Sequence, residues 1–133
     1  MADSVRVAID SDADVVTARQ EARSMGAALG FSSTDLTLLA TAISEVARNI
    51  TTYAGRGEVT LRVVHHRDRE GIEVVASDKG PGIEDLERAL QDGYTTGNGL
   101  GLGLPGARRL VDDFHVDSVP GAGTRVRMVK WRA

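Results

Sequence analysis

Gly97-Asn98-Gly99-Leu100-Gly101-Leu102-Gly103-Leu104-Pro105-Gly106 is a ladder of glycines that runs into a helical pattern. Its last six residues spell a G-x-G-x-x-G. The dinucleotide-binding fold that uses this fingerprint places a strand directly before it. Here Tyr94-Thr95-Thr96 and Gly97-Asn98-Gly99 precede it and read as a loop, so that fold is excluded. No G-x-x-x-x-G-K-[ST] occurs anywhere in the chain, which excludes a P-loop. What remains is the physics of glycine amides and a helix N-terminus, both suited to an anion. A ligand-free flexible loop explains the glycines less well, because they lead straight into a helix with Pro105 in its first turn.

Upstream, Asp78-Lys79-Gly80-Pro81-Gly82 follows the apolar run Ile72-Glu73-Val74-Val75-Ala76, so Asp78 is expected at a strand end. Gly80 and Gly82 accept positive φ and Pro81 fixes φ, which makes a sharp turn. An ionised carboxylate there can accept the exocyclic N–H of adenine. A loop of this composition with no ligand is the competing reading. Further upstream, Glu45-Val46-Ala47-Arg48-Asn49 lies inside a long helical pattern. Glu45 and Asn49 are four residues apart and stack on one flank, at the edge of the apolar stripe. Leu38 and Ala42 share that flank, and Ala42 would leave room for a ligand. Asn offers a neutral oxygen to a hard cation such as Mg²⁺. Glu can take a proton from an attacking hydroxyl or water. A solvated Glu beside a surface Asn is the alternative.

The rest of the pattern surrounds these clusters. Val5, Val7 and Ile9 alternate as a strand. Ser11 and Asp14 suggest a capping box before a helix with Val15, Ala18, Ala22, Met25 and Leu29 on its stripe, ended by Gly30. Ser32 opens the second helix, with Leu36, Leu39, Ile43, Val46, Ile50 and Tyr53 as its core stripe, closed by Gly55 and Gly57. Val59 to Val64 and Ile72 to Ala76 read as strands, with a turn near Glu70-Gly71. Ile83 to Leu90 reads as a short helix, Asp92 to Asn98 as a mobile loop, and Leu102 to Val111 as a helix. Phe114 to Val119 and Thr124 to Trp131 are two final strands around Pro120-Gly121-Ala122-Gly123. Early helices and later strands predict an α/β two-layer sandwich, one sheet covered on one face by helices. The whole chain, 1–133, is expected to form a single domain.

The bulk numbers narrow the function. Sixteen Lys and Arg against nineteen Asp and Glu give a net charge of −3, which argues against a nucleic-acid partner. Aromatic residues make up 4% of the chain, too few for a base-stacking surface. No cysteine is present, so thiol chemistry and disulfides are excluded. Met1-Ala2-Asp3-Ser4 does not open a signal peptide, and no apolar run approaches the ~20 residues of a membrane span. The expected location is the cytoplasm, with no membrane contact. His65-His66 reads as a solvated pair and His115 as a non-catalytic strand residue. Arg125, Arg127, Lys130 and Arg132 read as a solvated strand face or a protected sheet edge.

The order and spacing of these clusters resemble the GHKL ATPase family, which includes histidine kinases, gyrase, Hsp90 and the anti-sigma kinases. Glu45 and Asn49 match its N-box, Asp78, Gly80 and Gly82 its G1 box, and Gly99, Gly101 and Gly103 its G2 box. Gly123-Thr124 matches its late Gly-Thr. Across nearly the whole chain, Ala42 to Ile50, Tyr53 to Gly57, Gly121 to Thr124 and Lys130-Trp131 look like the RsbT-type switch kinases of the bacterial stressosome. The resemblance implies a mixed, mostly antiparallel sheet and a site for ATP and Mg²⁺. It implies Glu45 as general base and Asn49 as Mg²⁺ ligand. Asp78 would hold adenine with Gly80, Gly82 and Thr124 around it. Gly99, Gly101 and Gly103 would approach the phosphates under a lid from Tyr94 to Asn98. The implied activity is serine/threonine phosphorylation of STAS-domain antagonist proteins, and, after release, activation of a PP2C-type phosphatase. The alternatives are an anti-sigma factor that sequesters a sigma factor, or a nucleotide-binding interaction module without transfer.

Overall fold

The computed structural model describes residues 4–80, 103–119 and 121–132. Among them are β1 (Ser4–Ile9), α1 (Asp12–Ala28), α2 (Ser33–Tyr53), β2 (Gly57–His66), β3 (Arg69–Asp78), α3 (Gly103–Leu110), β4 (Asp113–Val119) and β5 (Gly123–Trp131). The strands form one sheet in the order β1-β2-β3-β5-β4. All four described strand pairs are antiparallel. The expected helix at Ile83 to Leu90 and the loop at Asp92 to Asn98 lie outside the described residues.

Alternation builds the two layers. Val7 and Ile9, Val59 and Leu61, Ile72, Val74 and Ala76, and Val126 and Met128 recur at every second position and are buried. They meet Val15, Ala18 and Ala22 of α1 and Leu39, Ile43, Val46 and Ile50 of α2 in one apolar core. The opposite face is polar and laced by ion pairs. Glu73 is buried there between Arg62 (Nη2–Oε1 2.8 Å) and Arg127 (Nε–Oε2 2.6 Å), and Arg6 reaches Glu58 at 3.3 Å.

Helix ends follow the chain's capping residues. Ser32 Oγ accepts the N–H of Asp35 at 3.1 Å, as its position predicts. Leu29 caps α1 and Gly30 follows at φ 85°, with Phe31 N–H donating to Gly26 O at 2.9 Å. That closure needs a left-handed residue, which glycine supplies without steric cost. The start of α1 differs from expectation. Ser11 makes no side-chain cap; instead Asp14 Oδ2 accepts the N–H of Asp10 at 2.8 Å.

Three further expectations need correction. Tyr53, counted in the core stripe, is 46% exposed, because α2 ends there and the stripe runs past the packed layer. The turn expected near Glu70-Gly71 is placed at Arg67-Asp68, and Glu70 and Gly71 themselves lie in β3, since His66 pairs with Arg69. Of the two readings of the basic C-terminal strand, the solvated face holds for the exposed Arg125 and Arg127 and the edge does not: β5 lies between β3 and β4, and Arg127 is a counterion to Glu73. Lys130 lies 3.9 Å from Asp35 on the helix side, and Arg132 lies 3.8 Å from Glu70.

Candidate active site

The sheet register collects the candidate residues of β3 and β5. Ile9, Gly57, Asp78, Thr124 and Ser118 form one cross-strand row over all five strands. Asp78 and Thr124 keep the alternation of Ala76 and Val126, so both lie on the helix-covered face. Gly80 N–H donates to Asp78 Oδ1 at 2.9 Å, a turn closed by the side chain two residues back. One carboxylate oxygen is thus fixed; the other has no hydrogen bond among the described residues.

Close packing surrounds this carboxylate. A Cβ on Gly57 would stand 2.9 Å from Ile50 Cγ2 and 3.1 Å from Asp78 Cβ. One on Gly80 would strike Ala54, the cap of α2. Gly123 has φ 109°, and a Cβ there would run into Asp78 O and stand 2.9 Å from Lys79 Cα. Both the backbone conformation and the contact therefore require glycine. These contacts seat the turn after β3 on the C-terminal end of α2, the end that carries Asn49.

On α2, Glu45 and Asn49 are half-buried while Ser44, Val46, Ala47 and Ile50 beside them are buried. This is the stripe edge that the spacing predicts. Arg48 Nη1 lies 3.6 Å from Glu45 Oε1, with Arg48 the more exposed partner. The Asn49 side chain has no hydrogen bond among the described residues. Ala42 is fully buried, so it packs in the core rather than opening space on that flank.

Thr124 is buried, and its Oγ1 lies 3.0 Å from Ser118 Oγ. Ser118 escaped the sequence reading, although it stands opposite Thr124 across the β4–β5 pair. Gly103 opens α3, which packs on α2 and buries Leu104 and Ala107. Gly82, Gly99, Gly101 and the Tyr94 to Asn98 lid lie outside the described residues. Of the remaining features, His65 pairs with Glu70 at 3.2 Å and His66 faces the Trp131 ring at 6.2 Å. His115 is exposed and lies 3.4 Å from Asp117. Among the described residues no group of three His, Cys, Asp or Glu could hold a metal.

The arrangement offers a carboxylate and a hydroxyl in one row across the sheet, and a carboxylate and an amide on the adjoining helix. A family model for the histidine kinase-like ATPase domain matches residues 9–130. The serine/threonine-protein kinase RsbT of Bacillus subtilis is 44% identical over 131 residues, 98% of each chain. The anti-sigma F factor of Caldanaerobacter subterraneus is 37% identical over 97 residues, 68% of this chain and 66% of that one. The solved RsbU and RsbW domains of a Mycobacterium tuberculosis protein superpose with a TM-score of 0.67 at 17% identity, over 98% of this chain and 33% of that one. The mycobacterial sensor histidine kinase MprB gives 0.58 at 21% identity, over 99% of this chain and 98% of that one. Both solved structures share the fold.

Proposed function

The chain belongs to the histidine kinase-like ATPase domain family, and from that premise we propose that it is an ATP-dependent serine/threonine protein kinase. Its substrates would be STAS-domain antagonist proteins. Released from them, it would activate a PP2C-type phosphatase in a bacterial partner switch. The observation that carries this reading is the 44% identity to the kinase RsbT over 98% of both chains; Glu45 and Asn49, one turn apart on α2, fit it.

The proposed roles are those that the family resemblance implies. Asp78 accepts the adenine amine through the oxygen not held by Gly80, and Thr124 adds a hydroxyl in the same row. Gly103, with Gly99 and Gly101 before it, brings amides and the start of α3 to the phosphates. Asn49 suits Mg²⁺, because its side-chain oxygen is unengaged among the described residues and such a cation takes most of its other ligands from phosphates and water. Bound there, Mg²⁺ would neutralise charge on the transferring phosphoryl group. Glu45 accepts the proton of the acceptor hydroxyl as that oxygen bonds to the γ-phosphorus and ADP leaves. Arg48, paired with Glu45, keeps a positive charge beside this flank.

The 37% identity to an anti-sigma F factor favours a second reading, an anti-sigma factor that sequesters a sigma factor. Incubation with radiolabelled ATP and Mg²⁺ beside a STAS-domain protein, with a parallel pull-down of a sigma factor, separates them. Label on the STAS protein is the expected result. A captured sigma factor with no label transferred would favour sequestration.

A further inference from the structure

The Glu45 carboxylate has one polar contact among the described residues, an ion pair with Arg48 from Oε1 to Nη1 at 3.6 Å. The Arg48 side chain has no other polar partner there. A glutamate head group turns about several torsions, so this contact decides where it stands. Each helical residue turns about 100°, so Asn49 stands about 40° to one side of Glu45 and Arg48 about 60° to the other. The Asn49 side is the core side, because Val46 and Ile50, further round in that direction, are buried. The Arg48 side is the solvent side: its side chain is 58% exposed, against 15% for Glu45. The carboxylate thus lies between the amide proposed for Mg²⁺ and a guanidinium on the side from which a protein substrate arrives.

We propose that Arg48 is a positioning residue that holds the Glu45 carboxylate on the substrate side of α2 and off the metal, so that it serves as a base and not as a second Mg²⁺ ligand. The inference rests on the kinase reading given above, which puts the base at Glu45 and Mg²⁺ at Asn49. Mg²⁺ is a hard cation that readily takes carboxylate oxygen, and Asn49 is one turn from Glu45. A carboxylate bound to the cation has its charge neutralised and takes a hydroxyl proton poorly. The guanidinium offers it a competing positive charge on the opposite side. At 3.6 Å this is an attraction between charges rather than a hydrogen bond, so the carboxylate lone pairs stay free for the acceptor's proton. Arg48 itself touches neither phosphate nor acceptor; it acts through Glu45.

Arg48→Met tests this, because methionine keeps an unbranched stem and suits a helix while removing the charge. In transfer of labelled phosphate to a STAS-domain protein, kcat should fall by roughly ten-fold, within the about 10²-fold that a displaced reacting group can cost, and KM for the partner should stay. Arg48→Lys, which keeps the charge, should recover most of the rate. In calorimetric titration of Mg²⁺ into the ADP-saturated protein, Arg48→Met should bind Mg²⁺ about five-fold more tightly than wild type, as the released carboxylate turns to the cation. In a Glu45→Ala background the same substitution should change that affinity far less. Should Arg48→Met fail to fold, Arg48→Gln should show the same two effects. An unchanged kcat or an unchanged Mg²⁺ affinity in a folded variant overturns the inference. So does a raised KM at constant kcat, which would make Arg48 a contact for the partner. Equal tightening in the Glu45→Ala background also overturns it, since the guanidinium charge would then act without Glu45. A wild type that binds Mg·ADP but transfers no phosphate overturns the kinase reading, while the titration still decides whether Arg48 holds Glu45 off the metal. A wild type that binds no Mg·ADP overturns both.

Discussion

The two oxygens of Asp78 differ in their surroundings, and a substitution can separate them. Oδ1 accepts Gly80 N–H at 2.9 Å, which closes the turn; the other is the one that the proposed site would offer to adenine. Asp78→Asn keeps an acceptor for Gly80 but turns the second oxygen into a donor. The fold should persist while a charged hydrogen bond of about 1.5–3 kcal/mol is lost, so ADP affinity should drop about ten-fold or more. Calorimetry that finds equal affinity would remove Asp78 from the proposed adenine site. Asn49 gives the complementary case on α2. It is half-buried at the flank of the stripe, so Asn49→Ala should melt close to wild type. Phosphoryl transfer depends on metal charge and positioning, so the same variant should transfer phosphate far more slowly. A rate equal to wild type in a normally folded Asn49→Ala would refute its assignment.

At the scale of elements, local signals were legible and long-range ones were not. Ser32, Gly30 and the spacing of Leu39, Ile43, Val46 and Ile50 set helices α1 and α2 close to their observed bounds, because caps and periodicity are written within a few residues. The flank holding Glu45 and Asn49 was legible for the same reason. Strand order was not: nothing local to β5 says that it enters between β3 and β4, so a protected edge stood beside a solvated face as a reading of its basic residues. The counterion of Arg127, Glu73, lies 54 residues away in the chain. Tyr53 misled because periodicity says nothing about where the facing layer stops. Stability should follow the observed contacts. Ser32→Ala loses the bond to Asp35 N–H and should cost about 1 kcal/mol. Gly123→Ala should cost more, above about 2 kcal/mol, because its φ of 109° is strained for alanine and its Cβ meets the backbone of Asp78 and Lys79. Urea unfolding of the two variants side by side checks the ranking; a Gly123→Ala as stable as wild type would contradict the packing described for the β3 turn.

Across the whole molecule, the sheet and α2 are each needed to build the site, so ligand binding and folding should be linked. A nucleotide that binds only the folded chain stabilises it by about 2.7 kcal/mol at a hundred times its Kd. Mg·ADP should therefore raise the melting temperature of wild type, and the same concentration should raise that of Asp78→Asn much less. An equal rise in both would place the nucleotide elsewhere. In the proposed kinase, phosphate transfer rests on Glu45. Glu45 lies one turn before Asn49 on the same flank, and a base there accelerates transfer by roughly 10²–10⁴-fold. Docking of a protein partner uses a much larger surface and should hardly depend on it. The direct measurement is labelled phosphate passed from ATP to a STAS-domain partner by wild type and by Glu45→Ala, with co-elution of kinase and partner followed in the same mixtures. Both proteins should co-elute with the partner, and only wild type should label it at an appreciable rate. Wild-type protein that binds ATP and the partner yet leaves it unlabelled would contradict the kinase reading, and equal labelling by Glu45→Ala would contradict the role of Glu45.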